Sequence, residues 1–474
     1  MRGRASTKVA AAITSRTRRT STSTVALLPS SWQLPPGLES LADLRRVEVH
    51  PTDDEQSEPD LVRLVSTLGD EFGPASVSLD HVISSASPIQ SMPYYAPMPY
   101  YAPMPYYAPM PYYAPMPYPS GPAASGVYSQ PGWGGRSPVA LPLDNPAHRA
   151  PAVERAPVVA VLDTGLGKHT WFPGSGPGGQ FSEHDQATDT VTYRGVLLGM
   201  HGDLPGASWH EEPINPLDGS VAMHAGHGTF IAGLIRQVCP IARILAIPVM
   251  ADDGVVAESG LMSTLVALLC RHVEAVIAGD PCGIIDVLSL SLGYYHETAG
   301  EAADDGPFSS VLAEFGRWGV AVVTSAGNQG TTRPLFPAAF ASEPGTAPDD
   351  RVPQLSVGAL NTDGQSVAYF SNAGPWVNCH RVGASLVSTI PVDLSGDAQS
   401  AARLAHEGLQ RATPDPDNFG SGFATWSGTS FASPLAAAQV ARAIAETPGV
   451  DQIDRAAMLE RGTQAVRDVG GWDG

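Results

Sequence analysis

From residue 158 onward, short apolar runs alternate with longer stretches of mixed character. The runs "VVAVLD" (158–163), "ARILAIPVM" (242–250), "IIDVLSLSLG" (284–293) and "VAVVTSAGN" (320–328) are apolar at successive positions. That pattern marks strands covered on both faces. Between them "TFIAGLIRQV" (229–238) and "LMSTLVALLCRHVEAVIAG" (261–279) read as helices. Strands buried on both faces and interleaved with helices predict an α/β fold, a parallel sheet with helices on each side. In such a sheet the chemistry sits beyond the carboxyl ends of the strands.

The first 150 residues have a different texture. Residues 1–38 are rich in Ser, Thr and Arg without periodicity and are expected to be disordered. Residues 39–90 hold "LADLRRVEV" (41–49) and then "LVRLVSTLGDEF" (61–72), whose Leu61, Leu64, Val65, Leu68 and Phe72 share one helical face. The strand-like "ASVSLDHVI" (75–83) follows, completing a small α+β unit that is marginal alone. "MPYYAP" is then repeated four times from Met92 to Pro115. Proline at that spacing forbids a helix or central strand and favours an extended polyproline-like rod. It reads as a stiff spacer or, through its Tyr pairs, as a ligand for a protein partner with an aromatic groove. Sequence rich in Gly, Pro and Ser continues to about residue 150, so 91–150 is expected to be a linker and 151–474 the main domain.

Charge narrows the partners. The formal net charge of -20 disfavours nucleic acid and anionic membrane surfaces, which demand basic patches. Only Lys8 and Lys168 supply lysine, leaving few candidates for lysine chemistry. Cys239, Cys270, Cys282 and Cys379 show no CxxC metal spacing. Buried free thiols are expected, with a Cys270–Cys282 bridge as the alternative. No apolar stretch is expected to reach the roughly 18 residues that cross a bilayer. The N-terminal runs "VAAAI" and "VALL" fall short of a secretory core of about 7 residues. A cytoplasmic location is the expectation.

Three motifs fall at strand ends and helix starts. "VVAVLDTGLG" ends a buried strand with Asp163, "HAGHGTFIAGLI" places His227 just before an apolar helix, and "GTSFASP" places Ser430 at the start of another. Singly, each has an ordinary reading as a turn or a helix cap. Together they supply what nucleophilic catalysis needs. A serine hydroxyl requires an imidazole to take its proton, and the imidazole requires a carboxylate to hold its tautomer. A helix N-terminus favours negative charge beside Ser430, and Gly428, Thr429 and Ala432 keep the approach open to a substrate backbone. Pro434 is expected in the first helical turn, where a missing N–H costs nothing. Asn328, at the exit of a buried strand between Gly327 and Gly330, can donate to an oxyanion; alone it would read as a turn residue.

On these residues the chain resembles the subtilisin-like serine proteases (subtilases) over about residues 155–465. The resemblance is carried by "DTG" (163–165), "HGTFIAG" (227–233), "SLG" (291–293), "AGN" (326–328) and "GTSFASP" (428–434), with "LFPAAF" (335–340) and "VGALNTDGQSVAYFSNAG" (357–374) in support. It implies a subtilisin-like three-layer domain with a mostly parallel central sheet, preceded here by the small α+β unit and the Pro/Tyr-rich linker. It also implies endopeptidase chemistry through an acyl-enzyme on Ser430. His227 would be the base, Asp163 its orienter and Asn328 an oxyanion donor. A peptide or protein substrate would lie as an added strand along Ser291, Leu292 and Gly293, with a pocket wall at Ala326 and Gly327.

Some features depart from that pattern. Asp163 and His227 stand 64 positions apart, so the intervening surplus is expected to form loops at the cleft rim. The family's secretion signal is not recognisable. "VSLDHVI" loosely resembles the end of a subtilase propeptide, so residues 39–90 read either as a proregion or as an adaptor. Many relatives hold structural calcium, but no EF-hand-like carboxylate spacing occurs, and no cofactor or metal is expected. Asp252-Asp253 reads as a solvated turn, and His224 as a partly exposed loop histidine. The competing function is a catalytically silent peptide-binding scaffold of the same fold.

Overall fold

The structure, a computed structural model, describes residues 20–29, 32–42, 44–51, 67–68, 79–85, 128, 135–174, 186–200, 213–296 and 306–472. Its centre is a sheet of seven parallel strands. These are β1 (Val158–Asp163), β2 (Ala187–Thr188), β3 (Arg243–Pro248), β4 (Val287–Leu290), β5 (Ala321–Ser325), β6 (Leu355–Leu360) and β7 (Cys379–Val382). Their order across the sheet is β7-β6-β5-β4-β1-β3-β2. β1 is held in register on both sides, Val159 facing Ile244 of β3 and Val287 of β4. Every residue of β1 is buried, as expected of a strand without a solvent face.

Alternation along β1 shows the three layers. Val158, Ala160 and Leu162 point into one core, with Leu265 and Leu269 of helix α2 (Glu258–Ala278) and Phe308 and Phe315 of α3 (Pro307–Arg317). Val159 and Val161 point into the other, with Phe230 and Leu234 of α1 (His227–Val238), Ala437 and Val440 of α4 (Thr429–Glu446) and Val466 of α5 (Arg455–Gly470). Period-2 side-chain alternation therefore feeds two cores from one strand. A buried fork anchors the start of β1: Arg155 donates to Asp286 at 2.7 and 2.8 Å, and Asp286 also accepts the Val158 N–H at 2.8 Å.

Several expectations change. α2 is long and apolar enough to cross a membrane by length and composition, contrary to the sequence reading, but 72% of that apolar window is buried within the fold. Its hydrophobicity serves a core that covers most of it, with Ile277 left exposed. The 163–227 surplus contributes β2, an edge strand of the main sheet, and the antiparallel pair Thr192–Tyr193 and Val196–Leu197, as well as loop. Thr20–Ala26, expected in a disordered segment, pairs antiparallel with Arg45–Pro51. Within the expected linker, Ser137–Pro138 pairs antiparallel with Ala424–Thr425, and Pro146–Arg149 is a short 3-10 helix capped by the Asn145 side chain. Of the predicted 61–72 helix only Thr67 and Leu68 are described, and they are helical. The MPYYAP repeats lie outside the described residues. All four cysteines are free thiols; Cys239, Cys270 and Cys379 are buried and Cys282 is exposed, so the 270–282 bridge is not formed.

Candidate active site

Asp163 is the last residue of β1, and both its backbone and side chain are tied. Its carbonyl accepts the Val249 N–H at 2.8 Å, and Oδ1 accepts the Thr164 N–H at 2.8 Å. His227 opens α1. Its Nδ1 lies 2.8 and 3.0 Å from the two Asp163 carboxylate oxygens, and both side chains are buried. Since a carboxylate accepts, Nδ1 carries the proton and Nε2 is the basic nitrogen. The close crossing of strand end and helix start depends on Gly228, where a Cβ would meet the Gly165 carbonyl oxygen at 2.5 Å. The Gly228 N–H donates to Thr164 Oγ1 at 2.9 Å.

Ser430 is the second residue of α4, and α4 packs directly on α1. Its hydroxyl is buried and, among the described residues, has no hydrogen-bond partner. The ring of the next residue, Phe431, lies 5.1 Å from that of His227, so the serine-bearing turn and the imidazole are adjacent. Pro434 is the sixth residue of the helix, not in its first turn as expected. There it removes the N–H that would bond the Ser430 carbonyl. Ser291 Oγ supplies that bond instead, at 2.9 Å.

Asn328 follows β5. Its Oδ1 accepts from the Thr429 N–H and the Thr429 Oγ1, each at 2.8 Å, which turns the amide nitrogen toward Gly428. A Cβ placed on Gly428 would lie 3.4 Å from Asn328 Nδ2. Asp163, His227, Asn328 and Ser430 thus gather where β1, β5, α1 and α4 meet, at the carboxyl end of the sheet. Gly327, in the left-handed region at φ +102°, donates its N–H to Thr429 Oγ1 at 3.0 Å. Ala326 is buried, and its carbonyl accepts from Asn372 Nδ2 at 2.9 Å.

Leu292–Gly293 forms a strand with a partner already in place. Val82–Ser85 lies antiparallel to it, with Ser85 opposite Leu292 and Ser84 opposite Gly293. The other edge of Val82–Ser85 pairs with Val255–Ala257, and the Ser85 N–H donates to the Gly254 carbonyl at 2.8 Å. Ile83 is completely buried in this position. Immediately upstream, Asp80 caps α2 by accepting from Ser259 N and Oγ at 2.8 Å each, and His81 Nδ1 lies 2.6 Å from Glu258 Oε2.

Two residues differ from expectation. His224 is buried, its ring 5.7 Å from that of His227, and its Nδ1 donates to the Asp253 carbonyl at 3.0 Å. Burial, reinforced by the nearby His227, pushes its pKa down to about 3. Asp252 is likewise buried, and its carbonyl accepts the His224 N–H at 3.0 Å. The sequence reading assigned no hydrogen-bonding role to Thr164, Thr429 or Asn372. The first two stand inside the motifs as hydroxyl residues, which was the available signal. Asn372, 44 positions from Asn328, stands in the 357–374 segment that supports the resemblance, and its Oδ1 accepts the Gln329 N–H at 3.1 Å and the Thr331 N–H at 3.2 Å. Among the described residues, no three or more His, Cys, Asp or Glu gather into a set able to hold a metal ion.

A seven-stranded parallel sheet with carboxylate, imidazole and hydroxyl gathered at its carboxyl edge defines a class of three-layer α/β domains equipped for serine chemistry. Within that class the chain belongs to the subtilase family, whose peptidase model matches residues 154–467. It is 25% identical over 316 residues to serine protease AprX of Bacillus subtilis (strain 168), covering 59% of this chain and 63% of that one. It is 26% identical over 240 residues to a subtilisin-like protease of Coccidioides posadasii (strain C735), covering 48% and 54%. The chain therefore spans less than two thirds of the length of these curated relatives. Among solved structures it is similar to a cold adapted subtilisin-like serine proteinase at 22% identity and a TM-score of 0.38, covering 66% of this chain and 85% of the other. It is similar to a lanthipeptide protease at 19% identity and a TM-score of 0.38, covering 63% and 77%.

Proposed function

We propose that this chain is a serine endopeptidase working through an acyl-enzyme on Ser430. The observation that carries the reading is the buried Asp163–His227 pair at 2.8 and 3.0 Å, packed beside the Ser430 turn. With Nδ1 bound by Asp163, His227 Nε2 takes the Ser430 proton as the hydroxyl attacks the substrate carbonyl carbon. The tetrahedral oxyanion is met by Asn328 Nδ2 and the Ser430 N–H at the head of α4. His227 then returns the proton to the departing amine, and water repeats the sequence to free the acid.

Substrate in this reading lies along Ser291, Leu292 and Gly293, the edge that Val82–Ser85 now covers. That supports residues 39–90 as a proregion rather than a remote adaptor, because a peptide cannot pair with an edge that is already paired. A substrate peptide that occupied this register and ran one residue past the position of Ser85 would come opposite Ser291, beside the turn that bears Ser430. The Tyr/Pro repeat is proposed to be the span between this strand and the catalytic unit.

A fluorophosphonate probe tests the chemistry. Wild-type protein is expected to be labelled at Ser430 once Val82–Ser85 has left the cleft, and Ser430→Ala to abolish labelling. Turnover of a peptide library should fall by on the order of 10⁴–10⁶ in the same variant. Folded wild-type protein that binds peptides but is never labelled between about pH 6 and 9 would show the silent scaffold instead.

A further inference from the structure

We propose that Arg136 is a positioning residue of the catalytic unit, one that clamps the turn presenting His227 to the strand leading into Ser430. This rests on the serine peptidase reading above. Arg136 lies in the stretch whose composition reads as linker, yet Ser137 and Pro138 pair with Thr425 and Ala424, and the Val139 N–H donates to the Phe423 carbonyl at 3.0 Å. That backbone pairing makes 137–139 an edge strand on Phe423–Trp426, the element that runs into Ser427, Gly428, Thr429 and Ser430.

The pairing delivers the Arg136 guanidinium to a row of carbonyls. Nη1 donates to Ala222 O and Ala225 O at 3.0 Å each and reaches Met223 O at 3.4 Å, while Nη2 reaches Val221 O at 3.4 Å. These four carbonyls belong to the turn just before His227, whose own N–H donates to the His224 carbonyl at 2.9 Å. The guanidinium carbon lies over the Trp426 ring, 4.9 Å from its centroid, and over that of Phe419 at 5.7 Å. Trp426 in turn meets the His227 ring edge-on at 5.7 Å.

One side chain therefore touches the backbone before the imidazole and the aromatic residue four positions before the nucleophile. Only a guanidinium suits the place. It offers several donors in one plane and stacks on an aromatic face, whereas an ammonium is a point donor on a flexible stem. Burial lowers the Arg136 pKa to about 10, with Asp252 and Asp417 opposing that shift, so the group stays cationic at neutral pH. A consequence for maturation follows. Any cut that frees an active enzyme has to fall upstream of Arg136, because a later one discards the clamp.

The test uses the full chain carrying Arg136→Met or Arg136→Lys, with a fluorogenic peptide and the fluorophosphonate probe as readouts. Wild-type turnover is the reference, so a wild type without activity would count against the peptidase reading and not against the clamp. Displacing the imidazole by about 1 Å is expected to lower kcat by about 10²-fold. KM should stay within about threefold of wild type, since Arg136 does not touch the Leu292–Gly293 edge. Arg136→Lys should recover little, and added guanidinium ion should partly restore Arg136→Ala but not Ser430→Ala. N-terminal sequencing of the active species should give Arg136 or a residue before it. Four outcomes would overturn the clamp: kcat within about threefold of wild type in both variants; a loss that disappears once assays run well below each variant's unfolding midpoint; full recovery with lysine; or an active form beginning at or after Ser137. If Arg136→Met does not fold, Arg136→Lys and the sequencing decide.

Discussion

The Ser430 carbonyl sits in a helix that denies it a donor. Pro434 occupies the position whose N–H would normally serve it, and the Ser291 hydroxyl fills in at 2.9 Å. Ser291 is thus a support for the nucleophile's turn as well as part of the proposed substrate edge. Removing the hydroxyl leaves a buried carbonyl unpaired, which costs about 1–3 kcal/mol. Ser291→Ala is expected to lose that much in urea denaturation, whereas an unchanged midpoint would mean that another donor takes over. Sequence order gave no hint of this bond, because Ser291 and Ser430 lie 139 positions apart. His224 was misjudged for a related reason. A histidine between alanine and methionine looks like a loop residue until Asp252, Gly254 and His227 close around it.

At the scale of elements, the N-terminal unit and the cleft are joined by one short strand. Val82–Ser85 completes a three-stranded sheet between Val255–Ala257 and Leu292–Gly293, and Asp80 adds a cap to α2. Its alternation was legible, since Ile83 is buried while Val82 is exposed. Its partner strands were not, because pairing between segments some 170 and 210 positions away depends on the whole fold. Burying an isoleucine side chain is worth about 1.5–3 kcal/mol, so placing a carboxylate there should release the strand. Ile83→Asp is expected to raise the initial rate of peptide hydrolysis by about tenfold or more. An initial rate equal to wild type would mean that the strand does not obstruct the cleft.

Across the whole molecule, buried neutral histidines tie stability to pH. His272 on α2 is fully enclosed, its Nδ1 accepting the Ile285 N–H at 3.0 Å and its Nε2 donating to the Trp318 carbonyl at 3.1 Å. Protonation would set a second ring N–H against that of Ile285, and burial holds the pKa down at about 4. His169 is held at about 4 by burial as well. In each case the unfolded chain takes up the proton first, near pH 6.5. Their contribution is therefore complete above about pH 6.5 and is lost as pH falls toward 4. Each adds a slope of roughly 1.4 kcal/mol per pH unit in that window. His272→Gln should remove about one such slope from stability measured by urea denaturation between those limits; an unchanged slope would exclude His272 as a contributor.

Local chemistry in the sequence determined four of the seven strands of the central sheet (β1, β3, β4 and β5), the helices α1, α2 and the start of α4, and the positions of Asp163, His227, Asn328 and Ser430 at strand ends and helix starts. Those features depend on periodicity of two or 3.6 residues and on the small residues that let backbones cross, and both are written within a dozen positions. Only the tertiary structure decided what meets what. It set Val82–Ser85 against the Leu292–Gly293 edge, Ser291 under the Ser430 carbonyl, and a linker arginine across the turn before His227. Such contacts are chosen by packing over hundreds of residues, and no local pattern encodes them.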